Sequence, residues 1–561
     1  MRKRLPDMPA GHNGRSMKLP VYGPRLRKVA RQHFGWPSLR PGQFKPMRAV
    51  LRRRDALVVL PTGAGKSAIY QIPAVLLPGP TVVISPLLAL QQDQIAALNE
   101  RDDPKIRAVR VSSAETPAQQ REAIQELREG RAEFLFITPE QLSDPERMAE
   151  VKALKPGLVA VDEAHCISAW GHDFRPEFLA LGDLIKGIGR PPVLALTATA
   201  SPPVRDDIIE RLHLKKPEIH VHGLDRPNLF LEVAYCPDEN YRWRKLTALL
   251  ESKPGAGIIY VATRRTAEEL AAKLTDAGYP AEFYHGGMAA KEREQKHEDF
   301  TADKTDIMVA TSAFGMGIDK PNIRWVAHVA LPDSPDSYFQ EIGRSGRDDE
   351  PAQALLLWRA EDEAIQRFFT GGAPDEVELR ELAGALRKGP QTKAELKEAS
   401  GLGPRKLGAY IGLLEQVGAV TTGRGNKLTV PVFAPLPAAA AEAAVKEHER
   451  QQVVSRSRTD MMRGFAETRA CRTQTLLAYF GEDLAKPCGH CDNCAEGTAE
   501  EVETATADEP FPVHAKVRHG EWGPGTVMGY EEDRMTVLFD EVGYKTLSVP
   551  VVKENKLLTD A

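Results

Sequence analysis

Seven residues, PTGAGKS from Pro61 to Ser67, follow the apolar run ALVVL and precede a helical stretch. Glycines 63 and 65, with Thr62 and Ala64 beside them, let backbone N–H groups close on a phosphate. Lys66 can reach the β and γ oxygens of ATP, and Ser67 can ligate Mg²⁺. One departure stands out, because the general pattern places glycine where this chain has Leu60. A second apolar run, LVAVD, ends in DEAH at Asp162 to His165. Asp162 is placed to hold Mg²⁺ through water, and Glu163 to orient an attacking water. Farther on, QEIGRSGRD supplies Gln340, counted with the nucleotide contacts, and the pair Arg344 and Arg347. Their spacing puts the two arginines on one helical face, from which they could stabilise charge on the γ-phosphate when two domains close.

Four of the six cysteines fall between Cys471 and Cys494, at Cys471, Cys488, Cys491 and Cys494. Thiolates so spaced can close a tetrahedral Zn²⁺ site with no open position, which is a structural role. His490 lies inside the knuckle and could substitute as a ligand, although four cysteines favour its being a bystander. Cys166 and Cys236 stand alone and read as ordinary semi-buried thiols.

The elements that must position these groups are short β-branched runs alternating with helical stretches. ALVVL, TVVIS, FLFIT, LVAVD and VLALT between residues 56 and 197 predict one parallel sheet. GIIYV, AEFYH, DIMVA and VAHVA between 257 and 330 predict a second. Ligands of such sheets bind at the carboxyl ends of the strands. Residues 375–432 read as three helices and a two-stranded wing turning at Gly423–Asn426, a winged helix. There Arg405, Lys406, Arg424 and Lys427 are candidate phosphate contacts. APLPAAAAEAAVKEHER reads as a linker running into a helix, with a helical hairpin before the cysteines. Repeated short strands with Gly turns in the last fifty residues predict a small five-stranded barrel.

A chain of 561 residues is too long for one core. No long apolar run and no apolar segment after the N-terminal charges are present, so a cytoplasmic, nucleoid-associated protein is expected rather than a membrane or secreted one. The net charge of −4 conceals an asymmetry. Residues 1–54 hold fifteen Lys or Arg against one acid, Asp7, whereas 495–510 hold six acids and no base. A basic arm suits a phosphate backbone and equally suits a solvated tail.

With these motifs in place, the chain resembles RecQ-family superfamily 2 DNA helicases over about residues 30–360 and 445–494. FGWPSLRPGQ resembles the adenine-reading motif, which implies Trp36, Arg40 and Gln43 around the base. SPLLALQQDQ, TPE, TATA, HGGM and ATSAFGMGIDKP correspond to other helicase motifs. CISAWGHDFRPEF, directly after DEAH, resembles the aromatic-rich loop that senses single-stranded DNA. Trp170, His172, Phe174 and Arg175 there interleave stacking faces with a cation, as a single-strand contact needs. Ala169 stands where the family usually has Gln. FAETRACRTQTLLAYFGE resembles the family's zinc-domain helices. Two features depart from the family plan: a winged-helix stretch precedes the zinc module, and no HRDC domain follows. The tail VHAKVRHGEWGPGTVMGYEEDRMTVLFDEVGYKTLSV resembles the Tudor-like barrel of UvrD/PcrA-type helicases, which implies a protein partner such as RNA polymerase or a repair factor.

The fold class expected is therefore α/β, with two tandem RecA-like parallel-sheet motor domains plus winged-helix, zinc-binding and small β-barrel modules. The divisions are a basic flexible N-terminus at 1–24, motor domains at 25–217 and 218–360, and a winged helix at 372–433. A zinc module at 443–495, an acidic linker at 496–510 and a barrel at 511–561 complete it. The leading reading is a monomeric 3′→5′ helicase acting on single-stranded and partly duplex DNA with ATP, Mg²⁺ and Zn²⁺, in repair or recombination; its polarity is implied by the resemblance. An RNA helicase or a non-unwinding translocase is the second reading, and a DNA-binding scaffold with a dead motor the third.

Overall fold

The computed structural model describes residues 22–561 apart from 87, 102, 104, 113, 169–174, 316–319, 363–371, 423–426, 483, 500–508, 514, 532 and 541. Trp170, His172, Phe174, Arg424, the wing turn, the N-terminal arm through residue 21 and most of the acidic linker lie outside the described residues. No helix among the described residues is long and apolar enough to cross a membrane.

Two parallel sheets carry the chain's chemistry. The first contains β1 (Ala56–Val59), β2 (Thr81–Ile84), β3 (Ala108–Val111), β4 (Phe134–Ile137), β5 (Leu158–Val161), β6 (Val193–Thr197) and β7 (Glu218–Val221). Their order is β3-β4-β2-β5-β6-β1-β7, parallel throughout. β1, β2, β4, β5 and β6 are buried along their whole length, as continuous apolar runs must be when helices cover both faces. Asp55, just before β1, accepts from the Arg190 guanidinium and from the backbone N–H groups of Val193 and Lys215. That one carboxylate ties the starts of β1 and β6 to the lead-in of β7. Although burial pushes its carboxyl up, those donors hold it below the usual range.

The second sheet holds β8 (Leu229–Tyr235), β9 (Gly257–Tyr260), β10 (Ala281–Tyr284), β11 (Ile307–Ala310), β12 (Trp325–His328) and β13 (Ala352–Trp358), in the order β10-β11-β9-β12-β13-β8. All its pairs are parallel. Gly257 pairs with Trp325, and a Cβ at Gly257 would lie 2.0 Å from the indole ring. Glycine is thus required there to admit the largest side chain of that core.

Three helices follow, Glu376–Leu386, Lys393–Ser400 and Pro404–Gln416, with a small antiparallel sheet of β14 (Gln391–Thr392), β15 (Thr421–Thr422) and β16 (Lys427–Thr429). The alanine-rich stretch expected as a linker is instead the start of a 31-residue helix, Pro437–Glu467. Alanine has the highest helix propensity, and Ala440, Ala441 and Ala444 are buried in the core shared with Leu379, Leu382 and Leu386. A short helix, Arg472–Tyr479, leads to the cysteine knuckle. The chain closes in a five-stranded antiparallel sheet of β17 (Lys516–His519), β18 (Gly523–Glu531), β19 (Arg534–Phe539), β20 (Gly543–Ser548) and β21 (Leu558–Asp560), ordered β20-β19-β18-β17-β21.

Gly257→Val is expected to overpack the second sheet and destabilise it by about 3 kcal/mol or more. Thermal unfolding followed by tryptophan fluorescence would show a lowered first transition. An unchanged transition would mean that Trp325 can move aside.

Candidate functional site

The phosphate loop leaves the carboxyl end of β1 and DEAH leaves that of β5, with only β6 between them. At sheet spacing this places the two motifs roughly 10 Å apart, within reach of each other's side chains. Gly63 and Gly65 take φ of +82° and +78°, a region that favours glycine. The Lys66 ammonium donates to the carbonyls of Leu60 at 3.1 Å and Pro61 at 3.4 Å. Leu60 contributes only its backbone to this loop; its side chain is buried in the core beneath, which accounts for the departure from glycine.

Two residues of the adenine-type motif brace the loop from behind. Gln43 donates its amide to the carbonyls of Gly65 at 2.9 Å and Ala64 at 3.3 Å, and accepts from the Arg40 backbone N–H at 2.8 Å. The Arg40 guanidinium donates to the Gly63 carbonyl. Trp36 stacks on Phe34 with centroids 4.7 Å apart. Any group that moves Arg40 or Gln43 therefore also moves the phosphate loop.

Across the crevice, Asp162 accepts from Gln94 at 3.2 Å and from the Glu163 backbone N–H at 3.1 Å. Gln94 in turn accepts from Tyr70 at 2.9 Å. Gln94 belongs to the SPLLALQQDQ segment, but nothing in that string assigns it to Asp162. Glu163 sits in the left-handed region at φ +49° and lies 3.3 Å from His165, whose Nδ1 is 2.9 Å from Thr197 Oγ1. Burial and the neighbouring Glu163 charge push Asp162 up to about 6. Burial also works against ionised Glu163, but His165, Lys66 and Arg344 outweigh it and hold that carboxyl low. The two neighbouring carboxyls are thus pushed in opposite directions, Asp162 up and Glu163 down. Desolvation, reinforced by the charge of Arg347, lowers Lys66, while the two carboxylates oppose that shift.

The second sheet sends its arginines to the same place, though not on a helix. Helix Pro335–Ile342, which carries Gln340, stops before them, and Gly346 at φ +60° turns the chain. Arg344 and Arg347 therefore lie in consecutive tight turns rather than on one helical face. Arg344 is buried and donates to the Gly315 carbonyl. A Cβ at Gly63 would meet Arg347 Cγ at 3.3 Å, so the arginine stem lies directly over the phosphate loop.

Among the residues expected to meet DNA, Arg175 donates to the Pro86 carbonyl at 3.1 Å. Lys406 lies 2.5 Å from Glu378, whose carboxylate also accepts from Tyr410 at 2.9 Å, so its charge already has an internal partner. Arg405 and Lys427 are exposed.

The sulfurs of Cys471, Cys488, Cys491 and Cys494 all lie within 4.8 Å of one another. Cys488 and Cys494 are 4.0 Å apart, close to the edge of about 3.8 Å that four Zn–S bonds of tetrahedral geometry require. The donor set thus fits zinc. His490 is turned away, its Nδ1 2.8 Å from the Cys488 carbonyl and its Nε2 3.5 Å from Asp225. The knuckle is built onto the second sheet: Cys491 bridges Leu231, and Asp492 accepts from the Val233 backbone N–H at 2.8 Å while pairing with Arg472 at 3.0 Å.

Known proteins share these parts. The chain matches the DEAD/DEAH box helicase family over residues 40–208, the helicase conserved C-terminal domain over 241–349 and the RecQ zinc-binding family over 438–495. It is 37% identical to the probable ATP-dependent DNA helicase RecS of Bacillus subtilis over 65% of this chain and 72% of that one. Identity to the ATP-dependent DNA helicase RecQ of B. subtilis is 32%, over 93% of this chain and 76% of that one. To the RecQ of Synechocystis it is 33%, over 84% and 98%.

Cys491→Ser is expected to remove zinc from the purified protein and to lower its thermal stability, because the same residue anchors the knuckle to β8. Atomic absorption should give about one zinc per wild-type chain and almost none in the variant. Full zinc retention would show that three thiolates suffice.

Proposed function

The chain belongs to the RecQ family of ATP-dependent DNA helicases, and from that premise we propose that it travels 3′→5′ on single-stranded DNA and unwinds duplexes in repair or recombination. The observation that carries the ATP-driven part of the reading is the stem of Arg347, from the second sheet, lying over Gly63 of the phosphate loop; the direction follows from the family resemblance. Groups from both halves of a motor then act on one phosphate, so hydrolysis depends on their closure.

In this mechanism the backbone of Thr62–Ser67 cradles the phosphates, Lys66 binds their terminal oxygens, and Trp36, Arg40 and Gln43 lie around the base. Glu163, kept ionised, orients water toward the γ-phosphate. Arg344 and Arg347 stabilise the charge that develops there. Ser67 and Asp162 would hold Mg²⁺, which when bound with ATP neutralises phosphate charge. Gln340 lies on the helix leading to the arginines and completes the nucleotide contacts. Trp170, His172, Phe174 and Arg175 stack on and pair with the single strand, and the zinc knuckle is structural. The internal pairing of Lys406 favours a second reading, a translocase stimulated by single-stranded DNA or RNA without strong unwinding.

A strand-displacement assay decides polarity: 3′-tailed duplexes should be opened and 5′-tailed ones left intact. Opening of 5′-tailed duplexes alone would overturn the proposed direction, and ATPase stimulation by RNA above that by DNA would overturn the substrate. Lys66→Ala should abolish unwinding. Glu163→Gln should cut turnover by about a hundredfold or more while ATP still binds. In that variant, removing the neighbouring charge should also move the Asp162 titration below about 6, readable by carboxyl NMR.

A further inference from the structure

The closing five-stranded sheet is apolar on both faces. Val517, Val527, Met535, Val537, Phe539 and Leu558 form its own core. Met528, Leu538 and Tyr544 point the other way and are buried in the same core as the two motor sheets and the zinc knuckle. Met528 is the extra residue of a β-bulge in β18, a device that re-aims a side chain. An autonomous module would not bury residues from its outer face in the core of the domains it follows.

Tyr544 is the polar member of this set. Its ring lies 5.9 Å from that of Tyr479, and Ser201 is a further polar side chain near its hydroxyl. Ser201 belongs to the first motor half. It directly follows TATA, whose Thr197 meets the DEAH histidine, and its own side chain makes no cap bond to the helix it precedes. Tyr479 donates to Asp336, at the start of the helix that leads to Arg344 and Arg347. Around this seam Gly543, at φ +71°, packs against Ser457 of the long helix, and Lys516 pairs with Asp206 of the first half at 3.2 Å. The side chains joining the two catalytic halves are thus supplied in part by the C-terminal sheet.

We propose that Tyr544 is a positioning residue of the motor, linking Ser201 on the first catalytic half to Tyr479 and Asp336 on the second, so that the C-terminal sheet couples the response to DNA with ATP turnover. The proposal rests on the reading of the chain as a DNA-stimulated ATPase. Tyr544 touches neither nucleotide nor DNA in this assignment and acts through the relative placement of the two halves.

The test uses the full chain and measures ATP turnover with and without an oligothymidine single strand. Tyr544→Phe, which keeps the ring and removes the hydroxyl that lies near Tyr479 and Ser201, should lower the ratio of stimulated to basal turnover about twofold. KM for ATP should stay within about twofold, because no nucleotide contact is lost. Lys516→Glu, at an exposed position, should lower the same ratio about twofold, and adding Asp206→Lys should restore it. A wild-type thermal midpoint in Lys516→Glu with a lowered ratio separates a change in coupling from loss of stability. Wild-type ratios in both Tyr544→Phe and Lys516→Glu would overturn the proposal. A wild-type chain that hydrolyses no ATP on adding DNA would instead overturn the motor reading beneath it.

Discussion

A lysine and two carboxylates share one crevice at the ends of β1 and β5, Asp162 buried and Lys66 and Glu163 half-buried, and the rest of the molecule answers to that arrangement. Charges so placed are costly unless balanced with good geometry. Within the first sheet the balance is internal and incomplete: Lys66 faces Asp162 and Glu163, and the two acids disturb each other. Arg344 adds a cation from the second sheet. Charges from both sheets therefore meet in this one crevice.

The strings that carry this site were legible because each is contiguous and each sits where a strand ends. PTGAGKS, DEAH and the four cysteines needed no fold to be found. The arginine pair is equally legible, but its three-residue spacing suggests a helical face, and nothing in the spacing reveals that the helix ends at Ile342 before Gly343 and Gly346. The central strands were legible as unbroken apolar runs. β3, β7, β8 and β13 lack that signal. β3, β7 and β8 alternate or are half-exposed, while β13, mostly buried, begins with Ala-Gln-Ala and announces itself weakly.

Partners far apart in sequence were illegible for a different reason. Gln94 meets Asp162, His165 meets Thr197, and Tyr479 meets Asp336 only because separate elements converge. No local pattern marks such residues. The alanine-rich stretch reads as a linker running into a helix, and burial against Leu379 and Leu382 starts that helix already at Pro437.

That helix, Pro437–Glu467, spans roughly 46 Å from the small helical domain to the cysteine knuckle. A flexible tether would set only how far the distal domain can wander. A continuous helix sets an azimuth as well, because each residue turns the chain by about 100° while advancing it 1.5 Å. The number of residues in the arm is consequently an angular specification: lengthening it by one would hardly change the distance but would face the distal domain in another direction.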